Sequence, residues 1–256
     1  MRTIIAAVIF CLVSTMAFAI EPELIWAGGG LKLSNESNPC FTADSFVSLG
    51  RLDDMYLFSE PMLTLKGGKL GVDLGVGGRV PVMNGRAIAG YNIFFDYTGY
   101  HGHKRVGTGL ELYHPNFSGH LNLYIPVSDE RHGEEALPGF DLTLGIPLPD
   151  ASFVSVWPGL YYYSGNDEDD IAGMSLAIRL NPMKPLTISI GGRNDALQSG
   201  RDKSEMFFKV EFAFPVQGMG KNAFVFNPGS YPLDVRTQMD HKVMREEFIT
   251  YEIKHN

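Results

Sequence analysis

Leu70-Gly71-Val72-Asp73-Leu74-Gly75-Val76-Gly77 places a large apolar side chain at every second position, with glycine or aspartate between. A period of two is that of an extended strand, whose side chains point alternately to opposite faces. The alternation recurs downstream in Val106, Thr108, Leu110 and Leu112, in Leu121, Leu123 and Ile125, and in Phe140, Leu142, Leu144 and Ile146. It returns in Met174, Leu176, Ile178 and Leu180, in Leu186, Ile188 and Ile190, and in Phe208, Val210, Phe212 and Phe214. The opposite face mixes Gly, Ser, Thr and Asn with charges of both signs: Asp73, Arg79, Asp96, Arg105, Glu111, Asp141, Arg179, Arg193, Lys209 and Glu211. A soluble sandwich produces two such faces, apolar toward its core and polar toward water. A transmembrane barrel produces them as well, apolar toward lipid and polar toward a lumen. Segments of about ten residues, enough for a tilted strand to cross a bilayer, favour the barrel. Sandwich strands are usually shorter.

The pattern predicts twelve strands, near 24–33, 43–52, 55–65, 69–82, 86–97, 103–114, 117–127, 139–149, 153–164, 172–182, 186–195 and 205–216. An even count suits a closed bacterial barrel. The connections fall into two sets. Those at 53–54, 83–85, 115–116, 150–151 and 183–185 are tight turns, expected to face the periplasm. Those at 34–43, 66–69, 98–103, 128–138, 165–171 and 195–204 are mostly longer and polar, expected to face outward. Tyr91, Tyr97 and Tyr100, and Trp157 with Tyr161 to Tyr163, lie near strand ends, where interfacial girdles place aromatics.

Composition agrees. Of 256 residues, 45% are hydrophobic, 12% aromatic and 20% charged, with 29 Gly and 15 Pro. That excludes disorder and argues against a helical bundle. The net charge of −8 argues against a nucleic-acid partner, which requires basic residues to neutralise phosphates. Arg2, the apolar run from Ile4 to Leu12 and Ala17-Phe18-Ala19 form the three parts of a secretory signal peptide, cleaved near Ala19. Cys11 leaves with that peptide. Cys40 then stands as a lone thiol, expected in an outer loop, and no intramolecular disulfide is expected.

Gly90-Tyr91-Asn92-Ile93-Phe94-Phe95-Asp96-Tyr97, followed by Arg105-Val106-Gly107-Thr108-Gly109-Leu110-Glu111, resembles the centre of the inverse autotransporter β-domain of intimin and invasin. Asn122-Leu123-Tyr124-Ile125-Pro126, Gly139-Phe140-Asp141, Pro147-Leu148-Pro149 and Tyr161-Tyr162-Tyr163 continue the likeness in order. Val243-Met244-Arg245-Glu246-Glu247-Phe248-Ile249 looks like the family's linker, which threads outward through the pore. The resemblance implies an all-β fold: a twelve-stranded antiparallel transmembrane β-barrel with a C-terminal linker threading or plugging the lumen. The implied divisions are a signal peptide at 1–19, a barrel at 20–216 and a linker at 217–256, in which a helix over 233–247 is compatible with the sequence. The family's peptidoglycan-binding segment and immunoglobulin-like passengers fall outside these 256 residues, so the translocator is implied rather than its cargo. Implied partners are outer-membrane lipids and lipopolysaccharide, the barrel-assembly machinery and a host or cell-surface ligand. Phe208, Phe212 and Phe214 have the form of the family's assembly signal on the last strand. Two other readings stay open: a porin-like pore with a plug segment, and a periplasmic β-sandwich binding protein.

No catalytic residues and no cofactor are expected. His120 and Asn122 lie on the lumen face, where a structural role suits them better than a hydrolase triad. His101 and His103 flank Gly102, but no carboxylate spacing supports a metal site. The run from Asn166 to Asp170 lacks the spacing of a calcium loop and reads as a solvated turn. The polar network expected along the lumen comprises Asp73, Arg79, Asn92, Asp96, Arg105, Glu111, Asp141 and Arg179, with Arg236 and Arg245 of the tail as contacts. Charges of both signs in a narrow lumen should pair, because an unpaired buried charge costs several kcal/mol.

Overall fold

The computed structural model describes residues 22–99, 101–166, 170–195, 204–216, 224–226 and 232–253. The signal peptide, Tyr100 and much of the acidic run after Asn166 lie outside the described residues. The strands are β1 (Glu23–Ser34), β2 (Cys40–Leu52), β3 (Met55–Lys66), β4 (Lys69–Val82), β5 (Ala87–Thr98), β6 (Lys104–His114) and β7 (Phe117–Pro126). They continue as β8 (Glu134–Ala136), β9 (Gly139–Leu148), β10 (Ala151–Tyr163), β11 (Ile171–Met183), β12 (Leu186–Asn194), β13 (Ser204–Pro215) and β14 (Tyr251–Ile253). Twelve of them close into an antiparallel barrel in which each pairs with its chain neighbours, β8 standing aside, and β1 joins β13. The seam runs in unbroken register from Trp26 opposite Pro215 to Ser34 opposite Phe207. Glycine permits that approach: a Cβ on Gly28 would lie 1.9 Å from the Phe212 carbonyl oxygen.

The faces decide between barrel and sandwich. In β4, Leu74 is 52% exposed while the adjacent Asp73 is 3% exposed. Leu70, Val72, Leu110, Leu123, Ile146, Leu176 and Ile190 are likewise exposed, whereas Arg79, Asp96, Arg105 and Glu111 are buried. Apolar-out and polar-in is the reverse of a soluble sandwich, and such a continuous apolar belt is stable only against lipid. No described helix is long and apolar enough to cross a membrane, so the crossing is made by strands.

Tight turns gather at one end of the barrel, helped by left-handed backbone at Asp53, Met83, Asn84 and Gly85. The longer connections lie at the other end, together with the tight Gly67-Gly68 turn, whose positive φ at both residues suits a hairpin of primed type. Inside the tight-turn end, Trp26, Phe46, Tyr56, Phe58 and Phe94 pack around Val243 of the tail. At the long-loop end Tyr124, Leu137, Tyr161, Tyr163 and Ile171 form a second cluster.

Three expectations are corrected. Cys40 is not in a loop: it opens β2, opposite Lys66, and is buried. The connection at 128–138 contains β8, which pairs with β14 from the tail. Its partner is too distant in sequence for local pattern to reveal. The tail's helix is a single 3-10 turn, Val235–Gln238, capped by Asp234. Beyond it, the backbone carbonyls of Gln238, Met239, Asp240, His241, Met244, Glu246 and Phe248 accept from side chains of the wall.

Candidate functional site

The lumen wall is built from residues that register places side by side. Arg79 of β4 faces Gly90 of β5, and Gly90 faces Glu111 of β6. Because Gly90 has no side chain, Arg79 reaches across it: Nε donates to Glu111 Oε2 at 2.9 Å and Nη2 to Oε1 at 3.0 Å. A Cβ on Gly90 would lie 2.6 Å from that carboxylate. This gives the glycine of the Gly90-Tyr91-Asn92 run a physical purpose. Arg79 Nη1 then donates to the carbonyls of Met239 and His241, at 2.8 and 2.7 Å.

Toward the long-loop end the register sets two acids opposite each other, Asp73 on β4 and Asp96 on β5. Like charges directly across a strand pair repel. Arg105, next across on β6, donates from Nε to Asp96 at 2.8 Å, which leaves Asp73 to be balanced. Arg245 of the tail lies between the two acids, 3.1 Å from Asp73 and 3.0 Å from Asp96, with its guanidinium 3.9 Å from the Phe94 ring centroid. Arg105 also donates to the carbonyls of Glu246 and Phe248, at 2.7 and 3.0 Å.

Further wall groups engage the same stretch. Asn122 donates to Asp141 and to the Met244 carbonyl, each at 2.9 Å. Tyr124 donates to Asp141 and accepts from the Glu246 N–H. Arg179 stacks over Trp157 and lies 2.9 Å from the Met244 sulfur. Lys242 pairs with Asp44 at 2.7 Å and with Glu247 at 2.9 Å, and Lys209 joins Glu247 at 3.0 Å. A cavity of about 450 Å³ remains between this stretch and β9–β13, lined in part by Trp157, Arg179 and Arg193.

Of the expected residues, Asp73, Arg79, Asp96, Arg105, Glu111, Asp141 and Arg179 thus meet partners in the lumen, and buried Asn92 lies against Gly109. Arg236 does not reach the wall. Its side chain is exposed and folds back on Asp234 at 3.2 Å, holding that carboxylate below its ordinary range through hydrogen bonds. Phe208, Phe212 and Phe214 lie on the exposed outer face of β13, the last two rings stacked. Sequence reading missed Glu60, which accepts the Val243 N–H at 2.9 Å, and Trp26 and Tyr56, which both bond Asp240. Glu60 carried a signal: it is the one acid on the inward face of β3, between Phe58 and Met62. His101 and His103, for which the sequence offers no carboxylate at a metal-binding spacing, both approach Glu134 in space.

The family model "Inverse autotransporter, beta-domain" matches residues 27–247. No curated protein gives a significant match. Among solved structures, a chain from work on the in-meso crystallization of membrane proteins superposes with a TM-score of 0.75 at 18% identity, covering 90% of this chain and 100% of that one. An outer membrane channel from Pseudomonas putida F1 gives a TM-score of 0.52 at 7% identity, over 77% of this chain and 98% of the channel. The KdgM porin gives 0.49 at 11% identity, over 74% and 99%. At such identities the first two of these structures show a shared fold.

Proposed function

Because this chain belongs to the inverse autotransporter β-domain family and forms an outer-membrane barrel, we propose that it holds its own C-terminal segment across the lumen and displays the far end of that segment at the cell surface. The Asp73–Arg245–Asp96 bridge carries this reading. Of the two acids fixed opposite each other in the wall, Asp96 has Arg105 of the wall beside it, and Asp73 is balanced by Arg245 of the tail. The contacts are ordered along the tail as well. Residues 238–241 bond groups at the tight-turn end, 242–246 bond groups farther along the wall toward the long-loop end, and Tyr251–Ile253 pair with β8 at the long-loop end. A chain so held runs outward, given that tight turns face the periplasm.

In this reading the tail, or a chain continuing from it, is offered to a host or cell-surface ligand. Lipopolysaccharide contacts the outer part of the apolar belt. The assembly machinery reads β13 through Phe208, Phe212 and Phe214. The lumen groups hold the tail rather than perform chemistry: His120 is buried between Tyr113 and Trp157.

The test is surface accessibility. An epitope placed after Asn256 should be labelled on intact cells as strongly as on permeabilised ones. Labelling that requires permeabilisation would refute display and leave a barrel that works as a pore or scaffold.

A further inference from the structure

At the long-loop end, three side chains from two connections converge beyond the lumen network. His101 and His103 come from the turn joining β5 to β6, and Glu134 opens β8. Glu134 Oε2 lies 2.7 Å from His101 Nδ1 and 3.3 Å from His103 Nε2, and the three donor atoms all fall within 4.8 Å of one another. We propose that His101, His103 and Glu134 bind one divalent transition-metal ion, with Zn²⁺ as the best-matched species. The site uses loop residues of the barrel, so it goes beyond the display reading and stands or falls separately from it.

The donor set suits such an ion. Two imidazoles and a carboxylate are borderline donors that favour zinc over calcium or magnesium, which prefer oxygen shells. A tetrahedral ion with bonds of about 2.0–2.1 Å holds its ligand atoms about 3.3 Å apart. The His103–Glu134 separation already has that value, and the His101–Glu134 hydrogen bond must open by a few tenths of an ångström. His101 sits on a loop tip with its side chain 29% exposed and its ring stacked on that of His132, centroids 4.7 Å apart. The exposed side also leaves a fourth position for water.

The other two ligands are held in advance. His103 is fully buried, and its ring stacks on Tyr251 with centroids 5.8 Å apart. The Glu134 backbone exchanges two hydrogen bonds with Arg131 and pairs with Ile253 of β14. The convergence of His101 and His103 depends on a left-handed pair, φ +53° at His101 and +73° at Gly102, which turns both imidazoles toward a single point. An ion there would tie the β5–β6 turn to β8, and thereby to the tail strand.

The experiment uses the full mature chain, purified in detergent without a polyhistidine tag and stripped with chelator. Zn²⁺ alone is titrated by calorimetry, and Co²⁺ alone by visible absorption, which reports tetrahedral coordination. One equivalent of Zn²⁺ should bind with a dissociation constant of about 1 μM or tighter. His101→Asn tolerates the positive φ and removes the ring; it should weaken binding at least tenfold, as should Glu134→Gln. Heat-modifiable gel mobility confirms that each variant is folded. The proposal is overturned by the absence of Zn²⁺ binding up to millimolar concentration in the wild type. It is equally overturned if the folded H101N/E134Q double variant binds with unchanged affinity, since the ion then sits elsewhere. Neither result bears on epitope labelling, so the two readings fail independently.

Discussion

Replacing Arg245 with Met removes the cation between Asp73 and Asp96 while retaining apolar volume over Phe94. Asp96 keeps Arg105 at 2.7 Å. Asp73, 3% exposed, loses its ion-pair partner. Breaking a buried pair from one side costs about 3–5 kcal/mol. Asp73 lines a cavity of about 580 Å³ at the long-loop end, large enough to hold water, which argues for the lower end. About 3 kcal/mol is roughly a 150-fold shift from seated to released tail, at 1.4 kcal/mol per factor of ten. Hydrogen exchange of the folded protein in micelles reads this at the Val243 and Glu246 amides, which bond Glu60 and Tyr124. Their protection should fall about a hundredfold or more, while β4–β6 keep theirs. Adding Asp73→Asn to the R245M variant neutralises the orphaned acid and should recover at least half of the loss in free-energy terms. Exchange within threefold of wild type in R245M, with the barrel intact, would refute the argument that the wall is electrostatically incomplete without the tail. So would a D73N addition that recovers nothing.

The same geometry sets other outcomes. Gly28→Ala places a Cβ 1.9 Å from a backbone oxygen across the β1–β13 seam, whereas Gly119→Ala meets only Leu144 at 3.6 Å. G28A should therefore abolish the heat-modifiable band in outer-membrane fractions and G119A should leave it unchanged. Deleting residues 217–256 removes every tail contact, so single-channel conductance in planar bilayers should rise several-fold over the full chain; equal conductance would show that the tail does not obstruct the lumen. Cys40 is 2% exposed, so maleimide should modify it slowly in the folded barrel and completely after boiling in SDS. Rapid labelling of the folded protein would place this thiol back in a loop.

Much of this was legible in the sequence because a strand's two faces are a local property. Alternation in Leu70–Gly77 and its counterparts specified strands of membrane-crossing length, and the opposite-sign charges marked which face turns to a lumen. The spacing of tight turns and longer loops similarly set the even strand count and which connections share an end. What periodicity cannot carry is partner identity across many residues. Whether Asp73 is balanced by Arg236 or Arg245 depends on the path of the tail, and only the folded chain shows Arg245 over Phe94 and Arg236 turned back on Asp234. The approach of Glu134 to His101 and His103 likewise depends on β8, which exists through its pairing with β14. A three-residue strand has no period to read, and its hydrogen bonds come from the far end of the sequence. The wall was written locally. The contents of the lumen and the cluster above it were decided by tertiary contact, because charge balance and ligand geometry depend on distance in space rather than along the chain.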